Sequence, residues 1–276
     1  MSPVGCDNSH PAGSFLYLII FINSHNTYIL KEGIKCRRVH VASPGIFLFI
    51  FVIIRQQKAL SCHSKQKETA VTDHAHKFLR FCLDIGAIEL LPQGRALKSG
   101  RVSPYFFNSG LFNTGDSISR LAEAYAAVSQ EFLPDVVFGP AYKGIPLAVA
   151  VAQALGGQVG YSFNRKEAKD HGEGGTIVGA SLDKKRVLVV DDVMTTGTSS
   201  GEAVEIIRAN GGIPIGAVIA FDRQEQGRNG TQSAVQEFET TYGIPVRSAA
   251  KLADLINCLN GEMLEKVLTY KKQYGV

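Results

Sequence analysis

From Thr69 onward the apolar positions fall into two alternating patterns. Val71, Ala75, Phe78, Leu79, Cys82 and Leu83 recur at helical spacing, which predicts an amphipathic helix ending near Gly86. Residues 88–91 read as a short strand. A turn-rich basic stretch, 94–101, separates them from an extended segment at 105–108. Ile118, Leu121, Ala122, Tyr125 and Phe132 mark the next helical face, with Asp116 or Ser117 placed to cap it. The runs 135–138, 158–163, 187–190, 214–221 and 244–247 read as strands. Segments 145–155, 202–208 and 233–242 read as the helices between them, and 251–274 as one or two closing helices. This alternation predicts an α/β fold: a mainly parallel central sheet with helices on both faces and a small N-terminal hood. Four strands run straight into polar loops, at 139–144, 164–175, 191–199 and 222–227. In a parallel sheet all four gather beyond the carboxyl ends of the strands, where ligands bind.

Residues 1–66 break the pattern. Their two apolar runs, 15–22 and 46–54, are each far shorter than the roughly 20 residues that span a bilayer. No Lys or Arg precedes Phe15, as a signal peptide would require. The segment is expected to be a poorly structured extension. It is equally readable as upstream sequence translated from a misplaced start, and a membrane-associated tail is a third reading. Residues 67–276 are expected to form one domain without an internal linker.

Composition sharpens this division. The chain has 276 residues, 45% hydrophobic and 20% charged, which suits one large or two small soluble globular domains. Its net charge of +4 is uneven, because residues 1–66 hold seven Lys/Arg against Asp7 and Glu32. The remaining 22 basic and 23 acidic residues nearly cancel, so the basic character is no argument for nucleic-acid binding by the domain. The five cysteines are odd in number and widely spaced, which argues against a disulfide framework and for a reducing compartment such as the cytoplasm.

The densest chemistry lies at 187–201. Four apolar residues lead into Asp191 and Asp192, then Val193-Met194-Thr195-Thr196-Gly197-Thr198-Ser199, then a helix. Small residues let backbone N–H groups approach an anion, the helix N-terminus adds partial positive charge, and the Thr and Ser hydroxyls can donate. Two carboxylates suit ribose hydroxyls or a hydrated metal. An ordinary capped strand–helix turn explains one acidic residue there better than two. The nucleotide-triphosphate loop and the dinucleotide fingerprint are both absent from the sequence. Arg165, Lys166, Lys169 and His171 sit on a loop with three glycines and suggest a mobile lid over an anion. Tyr142 and Lys143, in a tight Gly/Pro loop, suit a second phosphate. Taken singly, Tyr142-Lys143 reads equally as a surface turn, the lid cations, Lys98 and Arg223 read more readily as solvated surface, and Phe106-Phe107 more readily as core.

Together these motifs resemble orotate phosphoribosyltransferases of the single-function bacterial and yeast type, within the type I phosphoribosyltransferases. The resemblance rests on Leu97–Gly100, Tyr105–Asn108, Gly139–Gly144, Phe163–Gly175, Asp191–Thr198 and Asp222–Glu225, in that order, over residues 67–276. It implies transfer of phosphoribosyl from 5-phosphoribosyl 1-diphosphate to orotate, with Mg²⁺ held mainly through the substrate and no direct protein ligand. It also implies a homodimer whose lid, 164–175, is shared between subunits, with no nucleic-acid or membrane partner for the domain. Carried over residue by residue, Asp191 to Ser199 would hold the 5′-phosphate and ribose. Lys98, Tyr142, Lys143, Arg165, Lys166, Lys169 and His171 would hold the diphosphate. Phe106, Phe107, Thr195 and Arg223 would form the orotate site, and Lys169, His171 and Asp192 would act in catalysis. Two alternatives keep the same loop: a regulator that senses phosphoribosyl diphosphate without turnover, which would need no cationic lid, and a transferase for another base, which would need no partner for a carboxylate.

Overall fold

The computed structural model describes residues 21–22, 27–32, 35–40, 74–97, 99–169, 175–195, 197–227 and 230–276. The chain divides into two units, Met1–Gln66 and Lys67–Val276. In the first, β1 (Phe21–Ile22), β2 (Thr27–Glu32) and β3 (Lys35–His40) pair antiparallel in sequence order. The sequence pattern predicted no strand here, because polar and apolar residues do not alternate cleanly enough to mark a buried face.

The second unit is built on a six-stranded sheet. Its strands are β6 (Val136–Gly139), β7 (Gly160–Lys169), β8 (Gly175–Gly179), β9 (Arg186–Asp191), β10 (Ile213–Asp222) and β11 (Val246–Lys251). They lie in the order β11-β10-β9-β6-β7-β8. All neighbours are parallel except β8, which runs antiparallel to β7 at the edge. The apolar runs of β6 and β9 are continuous because both faces are covered, as parallel sheets require. Alternate residues go to opposite faces. Val187 and Val189 join Ala203, Val204, Ile207 and Phe238, whereas Leu188 and Val190 join Leu121, Tyr125, Ala148 and Val151. The first set brings in α4 (Thr198–Ala209) and α5 (Ala234–Tyr242); the second brings in α2 (Gly115–Ser129) and α3 (Gly144–Leu155).

The remaining elements cap the second face. Helix α1 (74–84) contributes Ala75, Phe78, Leu79 and Cys82 to its core. A hairpin of β4 (Ile88–Ala96) and β5 (Val102–Phe107) forms the hood, with a register shift between Leu90 and Arg95. The predicted short strand is therefore nine residues long. The hood is not purely N-terminal. After α6 (Leu252–Cys258), α7 (Gly261–Tyr274) packs against both hairpin strands, with Tyr270 edge-on to Tyr105 at 6.0 Å.

Two further expectations are corrected. The cap of α2 is Thr114, not Asp116 or Ser117: its hydroxyl accepts from Ser117 N, and Thr114 N donates to Ser117 Oγ. Asp116, one step inside, pairs with Arg120 instead. The segment 164–175 is not a loop at its base. Residues 164–169 continue β7 beyond the sheet and pair with β8 as a ribbon. Asn164 to Lys169 is mostly polar in sequence, so period-two patterning could not reveal it. Among the described residues no helix is long and apolar enough to cross a membrane.

The turn from β6 into α3 sets how closely the loop ends approach one another. A Cβ on Gly139 would fall 1.9 Å from the Gly144 carbonyl oxygen, so only a glycine lets the chain double back there. Gly139→Ala should destabilise the fold by about 3 kcal/mol, as backbone overpacking does; urea unfolding that shows no loss would contradict this packing.

Candidate functional site

Strand β9 is fully buried along Val187–Val190 and ends on Asp191; Asp192 follows, and both carboxylates are themselves buried. Each is engaged differently. Asp191 Oδ2 accepts from Ser200 Oγ at 3.2 Å, and Oδ1 accepts from Asp192 N at 2.9 Å. Its backbone carbonyl accepts from the wholly buried Tyr125 hydroxyl at 2.7 Å, which ties the strand end to α2. Asp192 Oδ1 accepts from Val193 N at 2.9 Å. Its Oδ2 meets the Lys143 ammonium at 2.7 Å and the Ser109 hydroxyl at 2.5 Å, and Ser109 also accepts from Lys143 at 3.2 Å. Burial, then the charge of Asp192, pushes the Asp191 carboxyl up to about 6, against the opposing bonds from Asp192 N, Ser200 and Ser199.

Beyond the pair the chain turns at Gly197, whose φ of +68° is the left-handed conformation glycine adopts most readily, and enters α4. Gly197 brings no side-chain acceptor to that first turn, and no acidic side chain lies there. The helix dipole at this turn favours an anion. A cleft of about 610 Å³ opens in front of them. Asp191, Val193–Thr195 and Gly197–Ser200 line one side; Ala141, Asn164, Arg165 and Lys166 line the other. Asn164 Oδ1 accepts from Ala141 N at 2.9 Å, which joins the base of the ribbon to the β6–α3 turn. The Lys166 ammonium lies over the exposed Tyr142 ring at 4.9 Å.

Of the expected phosphate and ribose residues, Asp191, Val193–Thr195 and Gly197–Ser199 line this cleft with the ribbon cations Arg165 and Lys166, whereas Asp192 is not among the lining residues. Lys143 differs in emphasis, because its ammonium holds Asp192. Lys169 sits at the last pairing position of β7, opposite Gly175. Lys98, His171 and Thr196 lie outside the described residues.

Of the expected base-binding residues, Thr195 lines this cleft, whereas Phe106, Phe107 and Arg223 are not among its lining residues. Arg223 follows β10, and the pairing of Ile219 with Asp191 puts it at the same edge of the sheet. Phe106 and Phe107 cannot both present their rings to a ligand, since successive strand residues face opposite ways. Phe107 is buried, stacked on Phe221 at 5.8 Å, so the expectation of a paired aromatic platform is corrected. Phe106 lies under the Arg95 guanidinium at 4.3 Å. Sequence reasoning missed Ser109, Tyr125, Asn164 and Ser200. Only Ser200, nine residues past Asp191 and in the first turn of α4, carried a local signal; the rest act across long sequence separations.

Comparison with known proteins gives a consistent picture. A family model described as the phosphoribosyl transferase domain matches residues 111–247. The chain is 52% identical over 212 residues to the orotate phosphoribosyltransferase of Thioalkalivibrio sulfidiphilus, covering 72% of this chain and 97% of that protein. It is 58% identical over 191 residues to the enzyme of that name from Nitrosococcus oceani, covering 65% and 86%. Among solved structures, the crystal structure of orotate phosphoribosyltransferase from Francisella tularensis matches with a TM-score of 0.65 at 35% identity, covering 72% of this chain and 100% of that one.

The perturbed Asp191 predicts a pH dependence. Between the ordinary value of 3.8 and about 6 the folded chain holds a proton that the unfolded chain has lost. Stability should therefore fall as pH rises through that window and level off above it. Asp191→Asn, measured by urea unfolding, should be more stable than the parent at pH 8 by on the order of 1–3 kcal/mol. That advantage should shrink as pH falls below about 6; an advantage independent of pH would contradict the assignment.

Proposed function

The chain belongs to the orotate phosphoribosyltransferases, which transfer phosphoribosyl from 5-phosphoribosyl 1-diphosphate to orotate in pyrimidine biosynthesis, and from that premise we propose how its residues divide the reaction. The regulator and other-base alternatives fall with this membership. One observation supports the assignment of roles: the buried Asp191 and the first turn of α4 line one cleft together with the ribbon cations Arg165 and Lys166.

The 5′-phosphate sits on the N–H groups and hydroxyls of Thr195 to Ser199, where the helix dipole adds to hydrogen bonding. The ribose hydroxyls donate to Asp191 and Asp192, which are acceptors already fixed by Ser200, Ser109 and Lys143. Arg223 takes the orotate carboxylate as a planar fork. The bond from C1′ to the diphosphate oxygen breaks with its electron pair leaving on the diphosphate, orotate N1 bonds to the cationic C1′, and the N1 proton passes to the departing diphosphate or to water. Lys98, Tyr142, Lys143, Arg165, Lys166, Lys169 and His171 surround the diphosphate. Of these, Lys169 and His171 meet the charge that grows on it, so they stabilise the transition state more than the ground state.

Mg²⁺ supplies Lewis-acid assistance at the diphosphate when bound. The donors fit a cation carried mainly on substrate oxygens. Asp191 and Asp192 are hard oxygen donors, yet Lys143 and Ser109 already occupy Asp192 Oδ2, and no group of three metal-ligating side chains exists among the described residues. The soluble, charged substrates suit the cytoplasm. The subunits pair so that the ribbon of one completes the site of the other.

Loss of orotate absorbance in the presence of phosphoribosyl diphosphate and Mg²⁺ reads the reaction directly. Lys169→Ala should lower turnover far more than it weakens substrate binding, and an equal loss in both would contradict its transition-state role. Subunit sharing makes a second demand. Lys169→Ala and Asp192→Asn proteins, each nearly inactive, should regain about one quarter of parent activity when mixed and allowed to exchange subunits, because half the dimers then hold one intact site. A mixture that stays inactive despite exchange would rule out the shared site.

A further inference from the structure

Arg223 is held unusually tightly for a loop residue. Its side chain is 12% exposed. Nε donates to Glu225 Oε1 at 2.8 Å, and Nη2 lies 2.6 Å from the same oxygen. Nη2 also donates to Ser103 Oγ at 3.2 Å, and the guanidinium carbon lies 4.6 Å from the centre of the Tyr105 ring. Glu225 is fixed in turn. Its Oε1 accepts from the Tyr105 hydroxyl at 3.0 Å, and its Oε2 accepts from Arg101 Nη1 at 3.2 Å. Arg101 closes the cluster by donating from Nη2 to the Gln226 carbonyl at 2.9 Å and lying over the Tyr274 ring at 5.1 Å. Two guanidinium charges meet one carboxylate, so these three groups keep a net positive charge that an anionic base can complete.

The backbone carrying Glu225 is also clamped. Gln224 has a φ of +51°, a left-handed conformation rare for a residue with a side chain. Its carbonyl accepts from Val276 N at 3.1 Å, Gln226 N donates to the Tyr274 carbonyl at 2.8 Å, and Glu225 forms an antiparallel bridge with Gly275. A Cβ on Gly275 would lie 2.4 Å from the Lys271 carbonyl oxygen, so the segment passes beneath the last turn of α7 only with glycine there.

We propose that Glu225 is a positioning residue for Arg223 and that the segment Tyr274–Val276 straps Glu225 in place, so that residues far from the phosphate loop set the affinity for the base. This rests on the reading of Arg223 as the partner of the orotate carboxylate. A fork aimed by fixed neighbours meets a planar carboxylate without first losing rotational freedom; a loosened fork must lose it on binding. The strap therefore acts on orotate and leaves phosphoribosyl diphosphate alone.

Steady-state kinetics on three variants of the full chain test this. Glu225→Gln keeps the shape and removes the charge; it should raise KM for orotate about tenfold while kcat and KM for phosphoribosyl diphosphate stay within about twofold of the parent. Gly275→Ala disturbs the strap without stripping a partner from a buried charge. It should show the same split, and it decides the matter if Glu225→Gln does not fold. Arg223→Lys is the control for the underlying reading and should raise KM for orotate at least as much. If Arg223→Lys gives the rise while the other two variants leave KM for orotate unchanged, the positioning role is wrong and the reading of Arg223 survives. If Arg223→Lys leaves it unchanged, both are wrong. Parallel rises in both KM values would show only a general loss of structure and would overturn the strap's selectivity.

Discussion

Two carboxylates on consecutive residues, buried at the end of the central strand β9, are the constraint on which the rest of the site depends. Like charges so close in apolar surroundings oppose each other, and that opposition adds to burial in lifting Asp191 to about 6. The surroundings are arranged to contain it. Ser200 reaches back from α4, Ser109 reaches in from the hood, and Lys143 reaches across from the β6–α3 turn. Each compensating group stands on a different element, so the relative placement of hood, sheet and helix is tied to the acidic pair. Burying two like charges side by side costs free energy that the surrounding donors offset only in part, since the Asp191 carboxyl stays raised to about 6. The pair is therefore a poor choice for stability alone and a good one for accepting hydrogen bonds from a sugar.

The same arrangement separates two tasks. The loop from Asp191 to Ser199 is anchored at both ends, by a fully buried strand and by a helix packed beneath the sheet, and it has no cationic side chain of its own. The cations stand opposite, on a ribbon that leaves the sheet and pairs only with β8. A rigid cradle suits the part of the substrate that does not react; charge supplied from a separate element suits the part that leaves. In the proposed division of roles, base recognition falls to a third group, around Glu225, between the hood and the last residues of the chain.

Much of this was legible in the sequence, and the limits have physical causes. The parallel sheet announced itself through apolar runs at strand length, and the candidate site through two acids followed by small residues. Both signals are local. The ribbon strand β8 was invisible because it is only five residues long, Gly-Thr-Ile-Val-Gly, too short for a period-two pattern to stand out. The true cap of α2, Thr114, lost out to Asp116, an equally good capping residue two positions on, because composition alone cannot fix where a helix begins. Ser109 acts on Asp192 across 83 positions and Glu225 on Arg101 across 124, contacts that only the closed fold creates. Phe107 shows the opposite failure: a motif read as a pair becomes one partly exposed ring and one buried ring once strand alternation is imposed.

The central claim is that the fixed loop grips ribose phosphate while the ribbon acts on the leaving diphosphate. The most direct test is the dissociation constant of ribose 5-phosphate, measured by calorimetry for the parent and for the double variant Lys166→Ala, Lys169→Ala, alongside turnover of orotate. The account predicts a dissociation constant within about twofold of the parent while turnover falls by roughly a hundredfold or more. A dissociation constant that weakens in step with turnover would contradict it.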